Sequence, residues 1–140
     1  MRVVASREYI KRHGAIREPS QLQRHQCIVF SGAERPRQWT FVGPKGETTV
    51  RVSGWLTLST VDALQDAVLA GLGVAVMPAW FWTDASLKSK VVQLLPEHTL
   101  PEQTIHALTS ARHKGNGKVA RFIEHVSQVL KSSPTTALAR

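Results

Sequence analysis

The chain has 140 residues, 42% of them hydrophobic and 20% charged, a make-up that fits one globular domain and excludes a chain disordered throughout. A domain of this size buries roughly two-thirds of the surface its unfolded form exposes. Lys and Arg outnumber Asp and Glu by 18 to 10, and the resulting +8 raises nucleic acid or another acidic partner.

In chain order, the β-branched pair Val3-Val4 within Arg2 to Ala5 predicts a strand that begins at the first residues. A strand in that position suggests that the chain is a piece of a longer protein. Ser6 is placed to cap a short helix over 7–13, and Gly14 to end it. Pro19 leads into a second short helix around 20–25. The apolar run Cys27-Ile28-Val29-Phe30 reads as a buried strand. A hairpin follows, with arms over 38–42 and 48–58 and the turn Gly43-Pro44-Lys45-Gly46 between them. In its second arm Val50, Val52, Leu56 and Leu58 share a parity, and Gly54 marks a bulge or bend.

Ser59 or Thr60 caps a helix through Leu72, whose face carries Val61, Leu64, Ala67, Val68 and Leu72. Gly71 and Gly73 bracket its end, and Val74 to Met77 form another buried strand stopped by Pro78. Residues 79–90 read as a helical turn and loop. Extended segments follow over 91–95 and 104–108. A last amphipathic helix over 116–131 should bury Val119, Phe122, Ile123, Val126 and Leu130, and its apolar face should stand exposed unless a partner covers it. The tail from Ser132 to Arg140 has turn and polar character. Short strands alternating with helices make this an α/β protein.

The basic residues include no run of five or six and no helical stripe interleaved with aromatics, so a solvated surface is the plainer reading of the charge. Cys27 is the only cysteine, which excludes an internal disulfide and a Cys-based zinc site and fits a reducing, cytoplasmic setting. In the middle of an apolar run it reads as an inert core thiol. No apolar run approaches the roughly 20 residues of a membrane span, and the N-terminal one is too short for a signal peptide.

Enzyme motifs fail on inspection. Gly115-Asn116-Gly117-Lys118 resembles the end of a phosphate-binding loop, but Arg112 and Val119 stand where Gly and Ser or Thr are needed. Gly71-Leu72-Gly73 lacks the third glycine of a dinucleotide loop and joins helix to strand in the wrong order. There is no G-x-S-x-G, and the six histidines show no metal-ligand spacing. No catalytic residue, metal or cofactor is expected. Trp80-Phe81-Trp82 packs against the helix over 61–72, or else walls a cleft or a dimer contact. Where the helix begins at Ser59-Thr60, free N–H groups, the helix dipole and two hydroxyls favour an anion, although simple capping explains the same residues.

The segment Gly54-Trp55-Leu56-Thr57-Leu58-Ser59-Thr60-Val61-Asp62-Ala63-Leu64, continuing through Ala70-Gly71-Leu72-Gly73-Val74-Ala75-Val76-Met77-Pro78, closely resembles the effector domain of LysR-type transcription regulators. That family has a strand, N-D-x-x-A-L, a helix and then A-G-L-G-I-A-x-L-P. Val3 to Ser6 with Tyr9-Ile10 and His13-Gly14, then 19–30, 39–46, 91–96, 105–110 and 118–123, resemble further family segments in the same order. The likeness covers about residues 2–131.

The resemblance implies a two-lobed fold like the periplasmic binding proteins, with the effector held between the lobes. Residues 1–92 would be a nearly complete second lobe and 93–102 the hinge. Residues 103–131 would be the strand and helix returning to the first lobe, with 132–140 a flexible tail. It also implies a small-molecule effector, self-association as a dimer or tetramer, no membrane, and DNA contact only through a helix-turn-helix absent from this chain. Ser59, Thr60 and Val61 match the start of the family's ligand-facing helix, with Ser59 replacing the usual Asn. Ligands of open α/β sheets bind beyond the carboxyl ends of strands, which adds Ser6, Ser31 and Pro78 as candidate site residues. Trp80 joins them because it stands where the family has smaller aliphatics. The alternative is a free-standing basic α/β domain that binds nucleic acid directly.

Overall fold

Strand β1 (Arg2–Ser6) is the axis of the sheet, and its alternation divides the core in two. Val3 and Ala5 point to one face and Val4 to the other, because successive side chains of a strand leave on opposite sides. The computed structural model describes residues 1–78, 89–101, 106–110 and 117–132. It divides into two compact units, Met1–Glu102 and Gln103–Arg140.

In the first unit β1 pairs antiparallel with both β6 (Val74–Met77) and β7 (Val91–Leu94), Val4 lying opposite Ala75 on one side and Gln93 on the other. A parallel bridge between Cys27 and Val74 carries the ladder onward to β2 (Val29–Phe30). Its bonds are Ile28 N–H to Val74 O at 2.7 Å and Val74 N–H to Gln26 O at 2.8 Å. Strand β2 pairs in parallel with β5 (Thr57–Leu58). Strands β2, β5, β6 and β7 therefore share one direction, and β1 runs against them.

The face bearing Val3, Ala5, Cys27, Val74 and Leu94 is covered by the hairpin of β3 (Gln38–Gly43) and β4 (Gly46–Arg51) through Trp39, Phe41, Val50 and Val52. Tyr9 of α1 (Arg7–His13) and Leu22 of the 3-10 turn Pro19–Arg24 complete that layer. The opposite face, with Val4, Ile28, Ala75 and Met77, takes Leu64, Ala67 and Val68 of α2 (Val61–Leu69). Removing a Leu or Val side chain from water is worth about 1.5–3 kcal/mol, so Leu64 and Val68 hold the helix to the sheet.

Several expectations are corrected in detail. The helix expected at 20–25 is a tight 3-10 turn, closed by a capping box between Glu18 and Gln21 with Pro19 in its first turn. The second hairpin arm ends at Arg51 instead of running to Leu58, and β5 leaves the hairpin to pair with β2. Gly54 lies between the two segments, where a Cβ would stand 1.9 Å from the Cys27 carbonyl oxygen. The chain there turns onto the sheet. Helix α2 ends at Leu69, because Gly71 at φ +71° reverses the chain, and Leu72 is exposed.

Strand β7 runs through the boundary expected at residue 92. Beyond it, Thr99 pairs with Val42 through two backbone hydrogen bonds, at 2.8 and 2.9 Å. Of the extended segment expected over 104–108, residues 106–108 carry no regular structure and the rest lies outside the described residues. So does the turn expected over 79–90, apart from its last two residues. In the second unit, α3 (Gly117–Ser132) forms as expected, but its apolar side chains are not buried. Val119 and Ile123 are half-buried, while Phe122 is 68% exposed and Val126 and Leu130 are also exposed.

Candidate functional site

Strand direction decides which expected residues meet. Strands β2, β5 and β6 all end at one edge of the sheet, so Ser31, the pair Ser59-Thr60 and Pro78 follow their carboxyl ends side by side. Ser31 is tied to the neighbouring strand twice, its N–H reaching Leu58 O at 2.9 Å and its hydroxyl donating to the same oxygen at 3.3 Å. Thr60 is the N-cap of α2, and its Oγ1 accepts from Ala63 N at 3.4 Å. Ser59 is exposed, and Val61 is half-buried against the α2 core layer. Pro78 is half-buried, and Trp80 lies outside the described residues.

Ser6 is at the opposite edge. Because β1 runs antiparallel, its carboxyl end lies beside the amino ends of β6 and β7, with Ser6 opposite Val91 and Ala5 opposite Val74. The side chain is 3% exposed, and its hydroxyl accepts from Tyr9 N at 3.1 Å as the cap of α1. The structure thus separates Ser6 from the other described candidates and gives it a capping role.

The start of α2 is a mixed site for an anion. The helix dipole and the first N–H groups favour negative charge, yet Asp62 already occupies the first turn and repels a second anion. A stronger anion-attracting feature was missed from the sequence. Ser31 and Thr57 line an open groove of about 860 Å³ whose other walls carry Arg35, Arg37, Gln38 and Arg51. Pairing in the hairpin places Arg51 opposite Gln38. Three basic residues scattered in the sequence therefore meet on one concavity, and the signal that could have found them is the hairpin register.

Groups with nucleophilic or proton-transfer chemistry lie elsewhere. Cys27 is 1% exposed with Sγ 3.6 Å from Leu22 O, and burial pushes its thiol up to about 12, so the thiolate is scarce at neutral pH. Tyr9 stacks on His13, accepts from Gln26 N at 3.0 Å and lies 3.3 Å from His25 Nδ1. Burial raises the Tyr9 pKa, and burial with repulsion from His13 lowers that of His25. Among the described residues no His, Cys, Asp or Glu cluster could hold a metal, and no helix is long and apolar enough to cross a membrane.

A mixed sheet with one reversed strand, layered on both faces and presenting one polar edge, is the architecture of a lobe of a periplasmic-binding-protein-like α/β fold. Solved structures share it. The CrgA regulatory domain, a LysR-type transcriptional regulator from Neisseria meningitidis, matches 91% of this chain and 63% of its own at TM-score 0.70 and 24% identity. Full-length AphB of Vibrio cholerae matches 71% of this chain and 34% of its own at TM-score 0.63 and 21% identity.

The chain belongs to the LysR substrate binding domain family, whose profile matches residues 1–131. Among curated relatives, the transcriptional regulator PtxR of Pseudomonas aeruginosa is 29% identical over 131 residues, covering 94% of this chain and 42% of its own length. The uncharacterized regulator YcaN of Escherichia coli is 38% identical over 76 residues, covering 54% of this chain and 24% of its own. The chain thus spans less than half the length of either relative. The family is one of transcription regulators, and a free-standing nucleic-acid-binding domain finds no support in these matches.

Proposed function

We propose that this chain is the effector-sensing part of a LysR-type regulator that controls transcription when joined to a helix-turn-helix. The observation that carries the reading is the shared edge of β2, β5 and β6, where Ser31, Ser59, Thr60 and Pro78 follow parallel strands. Open α/β sheets bind small ligands beyond such an edge. Residues 1–92 act as the second lobe and 93–102 as the crossover. Residues 103–131 return to the first lobe, and the tail expected over 132–140 lies, apart from Ser132 at the end of α3, outside the described residues.

A small, anionic effector is held at this edge, with the N–H groups from Ser59 to Val61 as one contact. The regulator self-associates as a dimer or tetramer in the cytoplasm, touches DNA only through its helix-turn-helix, and has no catalytic role. Calorimetric titration of the full-length regulator with its effector tests the assignment. Thr60→Pro should weaken binding about tenfold or more, because it removes the cap hydroxyl and one N–H at the edge. Unchanged affinity removes the start of α2 from the site.

A further inference from the structure

The groove beside Ser31 concentrates positive charge that the fold itself does not use. Arg35, Arg37 and Arg51 line it, and among the described residues none of the three forms an ion pair. Local and cross-hairpin bonds fix the backbone around Arg35 and Arg37, and the hairpin register sets Arg51 opposite Gln38. Gln38 N–H donates to Arg35 O at 3.0 Å, Val52 N–H to Arg37 O at 2.9 Å, and Trp39 Nε1 to Pro36 O at 3.3 Å. One Arg37 nitrogen reaches Gly54 O at 3.4 Å, leaving its other donors available. Like charges held on one concavity repel each other, and a multivalent anion relieves that repulsion while taking paired N–H bonds from each guanidinium.

We propose that this groove binds a small metabolite carrying two or more oxyanion groups. Arg35, Arg37 and Arg51 supply the charge, and the Thr57 hydroxyl and the Gln38 amide supply neutral donors. The Ser31 hydroxyl already donates to Leu58 O, so it shapes the wall and does not bind as a donor. The groove's volume of about 860 Å³ lies in the range of small-molecule sites, roughly 300–1,000 Å³. Among the described residues no aromatic side chain lines it, whereas a groove for single-stranded nucleic acid adds stacking platforms for the bases. The proposal deepens the sensing reading and rests on it for the ligand's role. It adds the charge of the arginines to the N–H contact at the α2 start, where Asp62 weakens the pull on an anion.

Calorimetry on the 140-residue chain tests this with citrate, inorganic phosphate and glycerol as probes. Citrate should bind, phosphate more weakly and glycerol not at all. The triple variant Arg35→Gln, Arg37→Gln, Arg51→Gln should weaken citrate about tenfold or more. A control triple that removes equal charge elsewhere, Lys11→Gln, Arg17→Gln, Arg24→Gln, should change it less than about twofold. The three exposed groove arginines are also replaced singly, with circular dichroism confirming the fold, so a misfolded triple still leaves a reading.

Equal losses in both triples would reduce the effect to overall charge and overturn the proposal, as would no citrate binding at all. Tight binding of a labelled single-stranded oligonucleotide, abolished by the groove triple, would overturn it in favour of nucleic acid. The sensing reading fails separately, on the Thr60→Pro titration of the full-length regulator. An intact citrate site with a failed titration, or the reverse, tells the two apart.

Discussion

Gly54 is where the chain leaves the hairpin and crosses onto the sheet, and replacing it with Ala should be among the most damaging single-methyl additions in the first unit. The added Cβ would sit 1.9 Å from the Cys27 carbonyl oxygen and 2.8 Å from its carbonyl carbon. Both are backbone atoms, so no side chain can rotate away. That segment is also bonded in place, with Cys27 N–H donating to Ser53 O at 2.9 Å and Val29 N–H to Leu56 O at 3.0 Å. Relief requires moving β5 away from β2 and weakening both bonds.

Overpacking of a rigid site costs about 1–3 kcal/mol, and two strained backbone bonds place Gly54→Ala near or above the top of that range. For a unit of this size each kcal/mol moves the midpoint by about 4–8 °C, so the melt should fall by roughly 12 °C or more. Thermal unfolding followed by circular dichroism, with urea unfolding as a second probe, reads the effect. A midpoint within about 3 °C of the parent would refute the close approach of the two segments.

Three further outcomes follow from the environments of particular side chains. Burial and His13 hold the His25 pKa below its usual value, so both folded and unfolded forms are neutral there above about pH 6.5. As pH falls below that, the unfolded state takes up the proton first and stability drops, a loss that continues through the folded pKa. Melting midpoints between pH 7.5 and 5 should decline, and His25→Gln should flatten the slope, as read by thermal melts in matched buffers. Cys27 should resist a thiol reagent in the native state at neutral pH and react on addition of denaturant; rapid native labelling would contradict its burial. The exposed Phe122 and Val126 of α3 should bind an apolar fluorescent dye or drive concentration-dependent association, and Phe122→Ser should reduce either signal; a dye-silent monomer by sedimentation would count against that exposure.

Local chemistry made much of the fold legible. The β-branched run at Val3-Val4, the Thr60 cap and the spacing of Leu64, Ala67 and Val68 each specify their element without outside help, and the structure has them. Contacts between distant segments were not legible. The parity of Val50, Val52, Leu56 and Leu58 is the same for one long arm or for two strands with different partners, so periodicity alone could not end β4 at Arg51. Ser6 follows a strand as Ser31 and Ser59 do, but a strand's sequence does not encode its direction in the sheet. Only the pairing with β6 and β7 shows that β1 is reversed. Arg35, Arg37 and Arg51 look like scattered surface charge until the hairpin register sets Arg51 across from Gln38.

The most direct test of the sensing account is a thermal-shift screen of the 140-residue chain against a panel of small metabolites that includes di- and tricarboxylates and phosphate esters, with duplex DNA as one member. A ligand present at a hundred times its Kd adds about 2.7 kcal/mol of stability, or roughly 10 °C or more for a unit of this size. The account predicts such a shift from at least one small anion and none from duplex DNA. A panel in which only the DNA raises the midpoint, with an effect that fades steeply as salt is added, would contradict it.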